Sequence, residues 1–237
     1  MRIMLILVGV LLVLALIADR VAVRVAQAAV ASRLQSELAL ADEPEVHAHG
    51  FPFLTQLFGG RYGDIEVTAH GVTAQQFRDL TVHANLRGLH APFSALVRSE
   101  IDQVPVDHVT GTVGLPYDQM ARATNIPGLS LAPSGDTVRI TGRVTVLGQT
   151  FSASANARAT VRDGTVIVTA DHAKVLGVTV PSAALPLVER GLSFVLPVQS
   201  LPFGLRLTGV QVAATELRVS AEADHVVLSK GQIPTGR

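Results

Sequence analysis

The chain has 237 residues, and its 19 Lys and Arg balance 19 Asp and Glu to a formal net charge of zero. With no basic surplus and no Lys/Arg-rich run it lacks the clustered cations that neutralise phosphate backbones, so no nucleic-acid partner is expected. Only 16% of residues are charged and 48% are apolar, against about 25% charged in an average globular protein. The absence of cysteine removes thiolate nucleophiles, Cys-ligated zinc and disulfides together.

The first element is an unbroken apolar run from Ile3 to Ala18. Sixteen helical residues cover roughly 24 Å, short of the roughly 30 Å hydrocarbon core of a bilayer. The run reads as a signal-peptide h-region or a short signal anchor, with a cytoplasmic core helix as the remaining alternative. A small-residue pattern, Ala26–Gln27–Ala28, lies eight residues past the run, and Arg20 and Arg24 intervene. That spacing favours an uncleaved anchor. One Arg precedes the run and two follow it closely, so positive-inside bias gives little orientation.

"DRVAVRVAQAAVASRLQSELAL" is rich in good helix formers, with Val23, Ala26, Val30, Leu34 and Leu38 at three- and four-residue steps. A long helix continuing out of the apolar run is expected, stopped by Asp42–Glu45. His47 and His49 can share one strand face, but two imidazoles without a third ligand are usually solvated, so no metal and no cofactor is expected. The stretch Gly50–Tyr62, "GFPFLTQLFGGRY", then gathers three of the eight Phe and one of the two Tyr in a chain without Trp. Phe51, Phe53, Leu54, Leu57 and Phe58 form either an apolar lid or a tight corner closing the core. Arg61 and Tyr62 offer a cation and a hydroxyl for a head group, unless Arg61 pairs with Asp64 or Glu66.

From Val46 onward the texture is period two. In "FSASANARATV" (Phe151–Val161) every odd position is apolar and every even one polar, the mark of a strand with one wet face. Asp163–Gly164 suits a type I′ hairpin turn. "DTVRITGRVTV" alternates upstream, and "GLRLTGVQVAATELRVSAEADHVVL" gives two or three closing strands. Gly142 and Gly209 suggest strong curvature. Two Pro-led segments, from Pro116 and from Pro181, read as short helices. Each is followed by a Pro- and Leu-rich linker and a strand, which reads equally as a weak duplication or as chance.

No P-loop, GxSxG, HExxH or dinucleotide fingerprint is present. Asp102, Asp107 and His108 lie near one another without a serine nucleophile elbow, so the chain does not read as an enzyme. What remains is apolar surface beyond what one curved sheet and one helix can bury, and such surface must meet a membrane, a lipid or another protein. Leu185, Val188, Leu192, Phe194 and Phe203 fall in segments too greasy for solvated loops. They either cap the core or line the mouth of a cavity.

"GFPFLTQLFGGRYGDIEVTAHGV" and "SLPFGLRLTGVQVAATELRVSAEADHVVL" resemble the two signature blocks of the actinobacterial LmeA-like phospholipid-binding family. The signature positions are Phe51, Pro52, Phe53, Leu54, Gly60, Arg61, Tyr62, Leu201, Pro202 and Phe203. The apolar run, the Asp19–Arg20 helix start and the Pro181 helix match the family layout, and the likeness covers nearly the whole chain. The resemblance implies an α+β, tubular lipid-binding type of fold, in which a long N-terminal helix packs along a strongly curved antiparallel sheet beside an apolar cleft. It also implies a periplasmic or other extracytoplasmic setting, a phospholipid ligand of the phosphatidylinositol type, and a role in cell-envelope lipid or lipoglycan metabolism. Membrane is a partner on this reading, and envelope membrane proteins are further candidate partners. The alternative is an envelope scaffold that docks another membrane protein and carries no lipid. The expected layout is a signal anchor or signal peptide over 1–19, one lipid-binding domain over 20–230 and a disordered tail over 231–237.

Overall fold

The computed structural model describes residues 1–74, 77–92, 103–124, 126–146, 148–176, 181–197, 201 and 204–229. Phe203, Pro202, Asp102 and the expected tail over 231–237 lie outside the described residues.

The fold is α+β. Helix α1 (Arg2–Leu38) is followed by β1 (Glu45–His49), α2 (Phe53–Gly59), β2 (Arg61–Ala74), β3 (Phe77–His90), β4 (Gln103–Pro116) and α3 (Tyr117–Arg122). Next come β5 (Ser130–Ser134), β6 (Thr137–Val146), β7 (Gln149–Arg162), β8 (Thr165–Val175), a 3-10 turn (Ser182–Ala184) and α4 (Leu185–Leu192). Strands β9 (Phe194–Pro197), β10 (Arg206–Val212) and β11 (Glu216–Ser229) complete it. The strands form two sheets rather than one: β1-β2-β3-β4-β11-β10 and β5-β6-β7-β8-β9, with antiparallel pairing.

The chain divides into two compact units, and the long strands of the first sheet contribute to both. The first comprises Met1–Gly71, His83–Thr110 and Ala223–Arg237; the second comprises Val72–Val82 and Gly111–Glu222.

In the second unit the alternation of β7 does what period two requires. Ala153, Ala155 and Ala157 are buried and Phe151, Ala159 and Val161 half-buried, while Ser152, Arg158, Thr160 and Arg162 face solvent. Asp163 and Gly164 both take positive φ, at 50° and 70°, as a type I′ turn demands. The two glycines thought to curve the sheet act differently. Pairing of β10 with β11 shifts register between Leu207 and Gly209, whereas Gly142 pairs regularly with Ala153. Gly142 is instead a place of close approach, since a Cβ there would lie 3.2 Å from Ile126 Cγ2 and 3.4 Å from Leu192 Cδ2. Helix α3 places the Tyr117 hydroxyl to donate to the Ala213 carbonyl at 2.8 Å. The two Pro-led segments repeat the order helix, short strand, strand. Their pairing differs, because β5 and β6 pair with each other while β9 joins β8 and β10 joins β11.

In the first unit α1 ends at Leu38 with Ala39 in the left-handed region, short of the expected Asp42 stop. Its buried residues are Asp19, Val23 and Ala31. The inward face therefore runs at steps of four and eight from Asp19, and Val30, expected inside, is exposed. Helix α1 packs against β1 and α2. Residues 1–18 are exposed throughout, and α1 is long and apolar enough to cross a membrane. An α-helix suits that role because it satisfies its own backbone hydrogen bonds.

The units differ in how they are filled. Among the described residues the core cluster of the second unit has eighteen buried members, including Met120, Ile140, Leu192 and Leu217. The cluster of the first unit has four: Val23, Phe53, Tyr62 and Ala91. Val46, Ala69, Val106, Val109 and Val226 are buried elsewhere in that unit but lie outside this cluster. Ala48, Ile65, Leu89 and Val104, which border it, are only half-buried.

Candidate functional site

The aromatic stretch singled out in the sequence contains a helix that periodicity did not disclose. Phe51–Pro52 is a cis peptide bond, Pro52 is extended at the N-cap, and α2 begins at Phe53. Proline has no side-chain oxygen with which to cap a helix, and the cap comes from another element. The Asp19 carboxylate on α1 accepts a hydrogen bond from the Leu54 N–H at 2.8 Å through Oδ1. Asp19 is only 2% exposed, and its Oδ2 has no hydrogen-bond partner among the described residues. A carboxylate at a helix N-terminus is stabilised by the orphan amides and the helix dipole, which helps offset the cost of burying it.

Gly60 ends the helix. At φ 65° it donates to the Gln56 and Leu57 carbonyls, and its own carbonyl accepts from Ala91 N–H at 2.9 Å. A Cβ there would meet Pro92 Cα at 3.0 Å, so the left-handed turn and the close approach both require glycine. Gln56 fixes the helix on both sides, donating to the His49 carbonyl at 3.3 Å and accepting from the Gly63 N–H at 3.0 Å.

Helix α2 has two apolar faces, set by its i, i+4 spacing. Phe53 is buried, and Leu57 packs against the same cluster. Leu54 is half-buried and Phe58 is exposed on the other face. Phe51, before the helix, is exposed beneath the Arg20 guanidinium, whose Cζ stands 5.0 Å from the ring centroid. Arg61 is exposed at the start of β2. The Tyr62 ring is buried beside Phe53, with centroids 6.2 Å apart, and its buried hydroxyl has no hydrogen-bond partner among the described residues. That burial raises the Tyr62 phenol above its ordinary value of 10.0. Desolvation also raises Tyr117, reinforced by Glu216 and opposed by the hydrogen bond to Ala213.

The second group of expected site residues belongs to the other unit. Val188 and Leu192 are completely buried in its core, Phe194 packs against that core, and Leu185 is half-buried. The 51–62 group and the 185–194 group therefore serve different clusters. A shallow groove of about 370 Å³ lies beside α1, lined by Arg24, Gln27, Ala28 and Ala31 and by Glu43–Val46. One cation against two carboxylates does not favour a phosphate there. His47 and His49 lie near Glu45 and Glu66, at 3.9 and 3.3 Å, but no group of three potential metal ligands converges among the described residues. His108 meets Asp224 at 2.6 Å as an exposed pair on neighbouring strands.

Asp19 is the residue that sequence reading placed in the helix start without giving it a task. Its signal was the single carboxylate closing an apolar run. Replacing it with Ala should cost the α2 cap about 1 kcal/mol, seen as faster hydrogen exchange of the Leu54 amide, while Asp19→Asn retains most of the protection. Unchanged exchange in Asp19→Ala would show the contact to be idle. The two tyrosines give a pH test. A raised folded pKa contributes stability that is present below the unfolded value of 10.0 and lost as pH climbs through the folded value. Tyrosinate absorbance of the folded chain should therefore rise with its midpoint above pH 10.0. A one-tyrosine step at that pH would place one ring in water.

A profile of the LmeA-like phospholipid-binding family matches residues 17–222. No curated protein gives a match. The matched span starts just before Asp19 and contains α2, the aromatic stretch and all but the last strand residues of both sheets. The family is described by what it binds rather than by a reaction, and this chain belongs to the LmeA-like phospholipid-binding family.

Proposed function

We propose that the protein is an extracytoplasmic phospholipid binder, tethered by α1, that shields acyl chains along the thinly filled apolar side of its first unit. The observation that carries this reading is the contrast in filling described above, taken with family membership over 17–222. Each methylene removed from water contributes about 0.8 kcal/mol. Ala48, Leu57, Ile65, Leu89 and Val104, half-buried around a small cluster, leave apolar area that lipid tails would cover. The shallow groove beside α1, edged by Arg24, Glu43 and Glu45, is a poorer fit for acyl chains. In this arrangement the 185–194 group steadies the second unit, and the inward residues of the aromatic stretch, Phe53 and Leu57, border the lipid.

Retention of the N-terminal helix has its own support. Cleavage after Ala28 would remove the Asp19 cap of α2, and would take Val23 and the half-buried Ala22 and Ala26 from a cluster with three other buried members among the described residues. A phosphatidylinositol-type ligand, and a role in cell-envelope lipid or lipoglycan metabolism, complete the proposal. Among exposed cations Arg61 is best placed for a head group, because it adjoins the aromatic stretch at the end of α2.

Native mass spectrometry of the full chain, released from detergent micelles, should retain a phospholipid in simple stoichiometry, and Ile65→Asp should strip it while the fold persists. A uniformly bare mass would favour the scaffold reading. Arg61→Ala should weaken binding of anionic phospholipid by about threefold, the scale of an exposed ion pair, and leave zwitterionic lipid unaffected. Equal loss for both would remove Arg61 from the head-group site.

A further inference from the structure

We infer that α2 is a membrane-contact element, seated with its outer face in the head-group layer of the bilayer that α1 enters. The inference rests on α1 lying in a bilayer, and it concerns a surface separate from the acyl-chain site. The apolar run Ile3–Ala18 ends one residue before Asp19. At roughly 1.5 Å per residue it falls about 6 Å short of a roughly 30 Å hydrocarbon core. A span that short is accommodated by local thinning and by flanking residues drawn to the interface. Asp19 and Arg20 are therefore held at the boundary between acyl chains and head groups.

A carboxylate withdrawn from water at that boundary needs a donor of its own. The structure covers Asp19 with α2, to 2% exposure, and gives its Oδ1 the Leu54 amide at 2.8 Å. Because α2 is tied to Asp19, the depth of Asp19 fixes the depth of α2. The face that α2 turns away from the protein is apolar. Phe58 is 73% exposed, Phe51 56%, and Leu54 lies between them. Apolar side chains of this kind enter the head-group and acyl boundary from interfacial helices. Arg20 is placed as a snorkelling cation would be, its guanidinium over the Phe51 ring, able to reach phosphates while its stem stays in the apolar layer. On α1 itself Val21 and Val25 remain exposed just beyond Asp19, continuing the apolar surface to the same level. The occupant of this face is accordingly the bilayer surface, and the protein would collect its lipid from the membrane that anchors it.

The chain has no tryptophan, so single insertions report without background. The full chain with Phe58→Trp, at a site 73% exposed, is reconstituted in phosphatidylcholine nanodiscs carrying lipid brominated at shallow or at deep acyl positions. Leu12→Trp serves as the reference within the span. The expected result is blue-shifted Phe58→Trp emission, quenched most by shallow bromines, with Leu12→Trp quenched most by deep ones. Solvent-like, unquenched Phe58→Trp beside a quenched Leu12→Trp would overturn the inference and leave the tether intact. An unquenched Leu12→Trp would remove the tether and the inference together. In detergent micelles with one equivalent of brominated lipid, Phe58→Trp should lose its quenching. Quenching that persists there would mean that the ring touches a bound lipid rather than the bilayer, and would also overturn the inference.

Discussion

One buried carboxylate joins the two physical problems this chain has to solve. Asp19 stands within α1 where its apolar run stops, and the Leu54 amide is its hydrogen-bond partner. The contact gives α2 a cap that Pro52 cannot provide, and it gives the buried Asp19 carboxylate a donor that its burial would otherwise deny it. Phe53 is thereby held beside Tyr62 and Val23, forming the small cluster on which the first unit depends. The amino-terminal helix is thus part of the packing of the folded protein as well as an apolar segment fit to cross a membrane.

Burial is shared unequally between the units, and the inequality has a functional sense. The second unit closes around Met120, Ile140, Val188, Leu192 and Leu217, each nearly or fully inaccessible. A core packed to that degree leaves little room for a ligand. The first unit spreads long strands over a small connected cluster and leaves many apolar residues half-covered. Such surface is expensive in water and cheap against acyl chains. On the proposed reading, phospholipid binding by the family falls to the first unit, and the second serves as its rigid part.

Much of this was legible in the sequence, for reasons that differ by element. The alternation of Phe151–Val161 encodes which face of β7 is wet, and Asp163–Gly164 encodes the turn that follows, because both are local properties. The long helix was visible as an apolar run followed by helix formers, although its inward face follows Asp19 and Val23 rather than Val30. Helix α2 was not visible, since seven residues are too few for periodicity to separate a helix from an apolar strand or corner. The division into two sheets was hidden because strand pairing is long-range: nothing local tells β9 to join β8 and β10 to join β11. The Pro116 and Pro181 segments made the point sharply, alike in their Pro-led start and element order and unlike in pairing. The family signature was readable around Gly50–Tyr62, where Gly60 answers to a left-handed turn and a close approach. The task of Asp19 emerged only once its partner, 35 residues away, was in place.

The central claim is that phospholipid completes the first unit and leaves the second unchanged. Hydrogen exchange of the full chain in detergent, with and without added phospholipid, tests it most directly. The account predicts added protection in β2 up to Gly71, β3 from His83, the first half of β4 and α2, with β6, β7 and β8 exchanging as before. Protection confined to β6–β8 and α4, or none anywhere despite bound lipid, would contradict it.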